Sequence, residues 1–484
     1  MSKGDYKITI GLEIHAELKT VTKMFCNSKN NPDEKRPNVN ICPVCMGYPG
    51  TLPTINKEAV KSVIKVGLAL GGEIANHTEF DRKNYFYPDI PKGYQISQYK
   101  YPLVRGGTLN GVAITRVHLE EDTARSSHEK GDYSLVDFNR AGIPLMELVT
   151  EPVISSANEA SAFAKELQLL LQYLSVAEAN MEKGEMRVEA NISVSKTDKF
   201  GTKVEVKNLN SFKAVEKAIA YEVARHISVL EDGGKIEQET RGWNENKEIT
   251  FGQRSKEESH DYRYFPDPDL PNLVISEIPD LNPNLLKGEL PELPWKKRER
   301  YKNVYGIKDS DINLYINNRE LADFFEKVLK KILPTEDGSE NSASETGQEL
   351  IQTVSNFVSS DLVGLLKNER GLSFPSPANF SELISMFHTR EISSRSAKDI
   401  LAFMVREDEN PKTLMMKHNL QQKSDEADIE RIANEVIEQN QKVVEEYKSG
   451  KKSSIQFLIG QGMKISNGSA NPEVLKSVLI KILS

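Results

Sequence analysis

Ile10-Gly11-Leu12-Glu13-Ile14-His15-Ala16-Glu17-Leu18 alternates apolar and polar side chains. Successive side chains of a strand point to opposite faces, so Glu13, His15 and Glu17 share one face while Ile8, Ile10, Leu12, Ile14, Ala16 and Leu18 share the other. A histidine between two carboxylates is a set that binds a divalent cation or exchanges protons. The outer face of an ordinary half-buried sheet carries the same pattern, so further residues must decide between the two readings.

Other polar concentrations sit inside strand-like sequence. Arg116-Val117-His118-Leu119-Glu120-Glu121-Asp122 ends in three carboxylates, and like charges that crowded call for a cation nearby. Glu147 lies within the apolar stretch Pro144 to Pro152, where a buried carboxylate needs a partner. Val188 to Val194 and Thr202 to Val206 read as neighbouring strands presenting Arg187, Glu189 and Asn191 on one and Lys203, Glu205 and Lys207 on the other. Histidine plus carboxylates drawn from separate strands suits Mg²⁺ or Mn²⁺ and leaves room for a substrate phosphate.

The elements that must position these residues fall into three regions, in line with the roughly three domains that 484 residues suggest. Residues 1–293 are strand-rich α+β sequence with embedded helices predicted at 158–174 and 212–230. The second of these carries Phe212, Val215, Ile219, Val223 and Ile227 on one face and stops at Gly233-Gly234. Beyond Pro291 and Pro294, the spacing of Leu321, Phe324, Phe325, Val328, Leu329 and Ile332 predicts a helical domain over 294–408, interrupted by a mobile loop at 334–348. A small helical tail over 409–484 follows, with Ser424 as a helix cap.

A formal charge of −8 with 28% charged residues describes a mildly acidic protein, so any contact with nucleic acid must use a local basic surface. From Lys448 onward there are six lysines against one acidic residue, Glu473; Lys448, Lys451 and Lys452 flank Gly450. No apolar run approaches a membrane span and no signal-peptide core is visible, which predicts a cytoplasmic protein without membrane contact. Three cysteines are too few for a disulfide framework. Cys42-Pro43-Val44-Cys45 with Cys26 upstream is a zinc-ribbon-like arrangement lacking a fourth ligand. Tyr85, Phe86, Tyr87, Tyr94, Tyr99 and Tyr101 are either stacking faces or core. No phosphate-cradling Walker motif occurs.

Six ordered motifs carry a resemblance over almost the whole chain: Gly11-Leu12-Glu13-Ile14-His15; Asp81-Arg82-Lys83-Asn84-Tyr85-Phe86-Tyr87-Pro88-Asp89; Tyr94-Gln95-Ile96-Ser97-Gln98; His118-Leu119-Glu120-Glu121-Asp122; Lys207-Asn208-Leu209-Asn210-Ser211; and Asp261-Tyr262-Arg263-Tyr264-Phe265-Pro266-Asp267-Pro268-Asp269. Together they resemble the B subunits of bacterial aspartyl/glutamyl-tRNA amidotransferases. The archaeal relative carries a large inserted domain that this chain is too short to hold, so the resemblance is to the heterotrimeric type.

That resemblance implies a cradle-shaped kinase domain followed by two small all-α domains. It implies an ATP-dependent activity that phosphorylates the side-chain carboxylate of Glu on misacylated tRNA(Gln), or of Asp on tRNA(Asn), and then amidates it. The ammonia would come through a channel from a separate amidase subunit, with a small clasp subunit holding the two together in a heterotrimer. Carried over, the catalytic set is Glu13, His15, Glu121 and Glu147, with Mg²⁺ held by His15, Glu121 and Glu147. Lys207, Asn208 and Arg263 lie in motifs near that site, and we assign them to the ATP phosphates on our own reading; the family's tail contacts tRNA, which assigns Lys448, Lys451 and Lys452 to it. Zinc-bearing members have a fourth cysteine where this chain has Ser28, which leaves Cys26, Cys42 and Cys45 as an incomplete zinc site. Two readings from other classes stay open on residues alone: a metal-dependent hydrolase using the same histidine and carboxylates, and a non-enzymatic tRNA-binding scaffold.

Overall fold

The computed structural model describes residues 6–127, 131–255, 262–333, 345–369, 371–421, 426–466 and 470–483. The chain divides into two compact units, Met1–Pro294 and Trp295–Ser484. Asp261 and Ser424 lie outside the described residues.

The first unit is built on one large sheet. Its strands are β1 (Lys7–Glu17), β2 (Asp81–Asn84), β3 (Tyr94–Ser97), β4 (Val112–Glu121), β5 (Pro144–Thr150), β6 (Met186–Ser195), β7 (Val204–Leu209), β8 (Glu239–Asn244), β9 (Ile249–Ser255) and β10 (Phe265–Pro266). Across the sheet they run β9-β8-β7-β6-β1-β5-β4-β3-β2-β10, with shorter strands pairing along the first half of β4. These pairs are antiparallel except β7 with β8. Placing β1 at the centre follows from its pattern: Ile10, Leu12, Ile14 and Ala16 are buried beside Val188, Ala190 and Ile192 of β6. Each fully buried aliphatic side chain on this face contributes about 1.5–3 kcal/mol.

Helices α1 (Lys57–Ala69), α2 (Ala157–Tyr173) and α3 (Phe212–Glu231) belong to this unit, and α2 and α3 pack together with the sheet. Ser156 caps α2 by accepting from the Glu159 amide, and Ser211 caps α3 by accepting from the Ala214 amide. After α3 the chain turns at Gly233, whose φ of +77° is costly for a side-chain-bearing residue, while the Gly233 and Gly234 amides close on Leu230 and Val229.

The buried face of α3 differs from the one its apolar spacing predicts. Val223 and Ile227 are only partly buried, whereas Glu222 and His226 are wholly inside. A buried carboxylate is tolerated because it is surrounded by donors: Arg225, His226 (Nε2 at 3.1 Å) and Thr250 (2.7 Å), with Arg241 at 3.6 Å. These contacts tie the helix to β8 and β9.

In the second unit the predicted helix appears as Arg319–Ile332, with Leu321, Phe324, Phe325, Val328 and Leu329 buried. Residues 334–344 of the expected loop lie outside the described residues, and a helix, Glu345–Asn356, begins before the predicted end of that loop. The expected break at 408–409 is not where packing changes. The helix Pro411–Lys417 packs against Pro377–His388 and Ser394–Glu407, and Asn410 donates to Glu382. The last hydrophobic cluster begins at Ile429 and runs through Ile432, Val436, Leu458, Leu475 and Leu479. No described helix is long and apolar enough to cross a membrane.

Burial alone would raise the Glu222 pKa, but hydrogen bonds from His226, Arg225 and Thr250 outweigh it and hold it at about 2. A folded value below the ordinary 4.5 means that the stabilisation is complete above about pH 4.5 and is lost as pH falls toward 2. Urea unfolding of the first unit, followed by Trp243 fluorescence in a Trp295→Phe background, is therefore expected to weaken steeply over that range. Glu222→Ala should cost about 3 kcal/mol at neutral pH by removing the buried acceptor shared by Arg225, His226 and Thr250. A variant with unchanged stability and unchanged acid sensitivity would remove Glu222 from this role.

Candidate active site

The face of the sheet opposite the apolar side collects the polar groups. Register places His15 opposite both Glu147 on β5 and Arg187 on β6, Glu13 opposite Glu189, and Glu147 opposite His118 on β4. Directly opposed residues of an antiparallel pair share a face. The result is a cluster: His15 Nε2 lies 3.5 Å from Glu120, 3.5 Å from Glu147 and 3.7 Å from Glu13, and His118 Nε2 lies 3.2 Å from Glu147. Glu120, Glu147 and His118 are buried. Glu13, Glu189 and Glu205 form a second gathering beside it, where Lys207 Nζ lies 2.7 Å from Glu189.

Electrostatics follow from that crowding. Burial, with Glu147 and Glu189 adding to it, pushes the Glu13 carboxyl up to about 7. Burial pulls His15 down, but the surrounding carboxylates, Glu147 foremost, outweigh it and raise it to about 9. Burial likewise opposes ionisation of Glu147, yet His118 and His15 hold it well below the usual carboxylate range. Lys83, from β2, is raised despite its burial because Glu120, Tyr264, Tyr85 and Glu147 surround it.

The motif around Lys83 has a physical explanation residue by residue. Asp81 accepts from the Tyr99 and Lys100 amides, and Arg82 bonds Asp267 at 2.7 Å and Asp269 at 3.1 Å. Asn84 donates to the carbonyls of Tyr262 and Arg263. These bonds clamp the segment carrying β10 onto β2, so that Lys83 projects between Tyr85, Tyr262 and Tyr264 toward the carboxylates.

Glu121 does not join His15 and Glu147. One residue along a strand reverses the face, and Glu121 is bonded to Lys92 and to the Ile96 amide on the opposite side of β4. Glu120 stands where the resemblance placed Glu121. The signal was present in sequence, since Arg116, His118 and Glu120 alternate with Val117, Leu119 and Glu121. Glu120, His118 and Lys83 are the site residues that sequence reasoning passed over. Lys207 borders the cluster, and Asn208 beside it has φ +64° at a register shift between β6 and β7. Arg263 lies elsewhere, lining an aromatic cavity with Tyr262 and Phe86.

Cys26, Cys42 and Cys45 are brought together, their sulfurs within 4.8 Å of one another. Ser28 Oγ lies 3.9 Å and the buried Lys23 Nζ 3.8 Å from Cys45 Sγ. Lys23 is only 1% exposed and also donates to the Phe138 carbonyl at 3.2 Å. Three thiols, a hydroxyl and an ammonium are one sulfur short of a closed tetrahedral zinc centre. In the tail, Lys448 ends the helix Gln441–Lys448, Lys451 pairs with Glu446 at 2.9 Å, and Gly450 between them has φ +107°.

An oxygen-rich cluster with histidine and flanking lysines on one sheet face is the arrangement of a candidate catalytic domain. Residues 8–278 match the family model described as the GatB/GatE catalytic domain, and residues 340–483 match the GatB domain model. The chain is 43% identical to the B subunit of the aspartyl/glutamyl-tRNA(Asn/Gln) amidotransferase of Caldanaerobacter subterraneus, covering 99% of each chain. It is also 43% identical to the protein of that name from Dehalococcoides mccartyi, with 99% of each covered. The corresponding protein of Crocosphaera subtropica is 41% identical, with 100% of this chain and 98% of that one covered. The chain belongs to the family of aspartyl/glutamyl-tRNA(Asn/Gln) amidotransferase B subunits.

The donor set fits a hard divalent cation. Glu13, His15, Glu120 and Glu147 offer three carboxylates and an imidazole in close reach, and His118 Nδ1 is buried without a hydrogen-bond partner among the described residues. Glu120→Gln is accordingly expected to weaken Mn²⁺ binding at least tenfold by isothermal titration, with Glu121→Gln within about twofold of the parent. The reverse order would return the site to Glu121. Ser28→Cys, which completes four thiols, is expected to retain zinc at least tenfold more tightly against a chromophoric chelator.

Proposed function

We propose that this chain is the kinase and transamidase component of a glutamine-dependent tRNA amidotransferase, acting on Glu attached to tRNA(Gln), Asp attached to tRNA(Asn), or both. The observation that carries the reading is the convergence of His15, Glu13, Glu120 and Glu147 between Lys83 and Lys207, in a chain of this family. A carboxylate has no usable leaving group at neutral pH, whereas an acyl phosphate does. The side-chain carboxylate of the tRNA-bound amino acid attacks the γ-phosphorus of ATP, the bond to ADP breaks, and ammonia then displaces phosphate at the acyl carbon, losing a proton as the amide forms.

Glu13, His15, Glu120 and Glu147 would hold Mg²⁺, which when bound offsets charge on the transferring phosphoryl group. Lys207, held by Glu189, places a fixed ammonium beside that cluster for a phosphate oxygen, and Asn208 is assigned to the same nucleotide with it. Lys83 supplies a second cation, kept charged by Glu120 even though it is largely enclosed. Arg263, which the sequence reading assigned to ATP, lines the aromatic cavity, and that place supports a phosphate contact there. The ammonia would come from a partner amidase, with a small clasp subunit joining the two. Lys448, Lys451 and Lys452 would contact the tRNA backbone from the tail. The hydrolase and scaffold readings lack support of this kind: the first leaves the flanking lysines unused, and the second leaves the buried carboxylates unexplained.

Reconstitution tests the reading. With partner subunits, ATP and mischarged tRNA, the complex is expected to amidate from glutamine, and this chain alone only from added ammonia. His15→Ala should lower phosphorylation of the tRNA-bound amino acid by about a thousandfold or more while the partner amidase still hydrolyses glutamine. Glutamine-dependent amidation by the isolated chain, or normal ATP-dependent amidation by the variant, would contradict it.

A further inference from the structure

Phe86 is 88% exposed and Tyr87 and Phe265 are each more than two-fifths exposed, although Phe80, at the start of the same segment, is core. With Tyr85, Tyr262 and Arg263 they line a cavity of about 770 Å³. One exposed aromatic ring is ordinary; several around one open cavity form a recognition surface for something flat and apolar. The surface is built rather than incidental. Asn84 pins the Tyr262 and Arg263 backbone, and Tyr85 meets Tyr87 and Tyr262 edge-on at 5.9 and 5.8 Å. Gly93 has φ +73°, and a side chain there would press on the Phe86 ring at 3.2 Å, so the bare glycine is what leaves Phe86 its place.

Two further features define the ligand. Arg263 lines the same cavity beside Tyr262 and Phe86, which puts a guanidinium, a natural partner for phosphate, among the aromatic rings. The inner wall leads to the carboxylate cluster, because Lys83 Nζ sits 4.8 Å from the Tyr262 ring and lies in the field of Glu120 and Glu147. A base with a phosphate, bound next to a site that acts on a carboxylate, is the chemistry of a nucleotide. Both ATP and the 3′ end of tRNA supply it. The rim position of Phe86, with its ring standing in solvent, suits the end of a strand entering from outside, whereas a free nucleotide gains by enclosure.

We infer that this cavity stacks the 3′-terminal adenine of the tRNA, with Phe86 as the outer face and Arg263 on the adjoining phosphate. The inference rests on the tRNA reading above and adds a positioning site to it. The amino acid is esterified to that same nucleoside, so fixing the base fixes the distance from which the side-chain carboxylate reaches Glu120, Glu147 and Lys83.

The full chain is titrated with an acceptor-stem RNA ending in CCA and with the same RNA ending in CC. The parent is expected to prefer the CCA end by roughly ten- to a hundredfold, the effect of one stacked base. Phe86→Ala should abolish that preference and Phe86→Trp should keep it, while ATP affinity stays within twofold in both. Because Phe86 is almost wholly exposed, neither variant threatens the fold, and circular dichroism confirms that. A preference that survives Phe86→Ala overturns the inference. Loss of ATP affinity with RNA binding unchanged also overturns it, by assigning the cavity to the free nucleotide. Failure of the tRNA reading itself is seen separately, as absence of any ATP-dependent amidation by the unaltered complex.

Discussion

Three carboxylates converge on one imidazole at the centre of this molecule, and much of the first unit is organised around making that tolerable. Like charges that close repel, and burial removes the water that would screen them. The protein answers with cations at fixed places: His15 and His118 within the cluster, Lys83 on one side and Lys207 on the other. Each comes from a different strand, so the arrangement requires β1, β2, β4 and β7, with the strands between them, to pair in one register. A slip of one residue in any of them would send its polar group into the hydrophobic layer under α2 and α3.

The same device recurs away from the site. Asp122 is held at about 2, against the effect of burial, by Arg187 and Arg140, and Glu222 is held by His226 and Arg225. The Cys45 thiol faces the buried ammonium of Lys23. Leaving any one of these groups unpaired inside the protein costs more than making the pair gains, so the pairs fix which way each element faces. This is how Glu222 and His226, rather than Val223 and Ile227, come to occupy the inner side of α3.

What the sequence made legible is what has a short period. Alternation over Ile8 to Leu18 predicts both faces of β1, and helical spacing places Ala157–Tyr173 and Phe212–Glu231 within a residue of where they occur. The six motifs pointed to the family, which the full-length relatives show. Pairings distant in the chain were not legible. That Glu120 and not Glu121 faces His15 depends on His118 pairing with Glu147, and the role of Lys83 depends on a bond from Arg82 to Asp267 across 185 residues. Asn410-Pro411, which reads in sequence as a break, is the start of a helix capped by Asn410 and packed on the preceding ones, a contact that local spacing does not reveal.

The central claim is that this face of the sheet activates a carboxylate by phosphorylation. Isotope transfer tests it most directly. Mischarged tRNA carrying ¹⁸O in both side-chain carboxylate oxygens of its amino acid is incubated with ATP, ammonia and the reconstituted complex, and the inorganic phosphate is analysed by mass spectrometry. One ¹⁸O per phosphate released is the expected result, because the oxygen bridging the acyl carbon and phosphorus leaves with phosphorus. Phosphate free of ¹⁸O, alongside full conversion to the amide, would contradict the account.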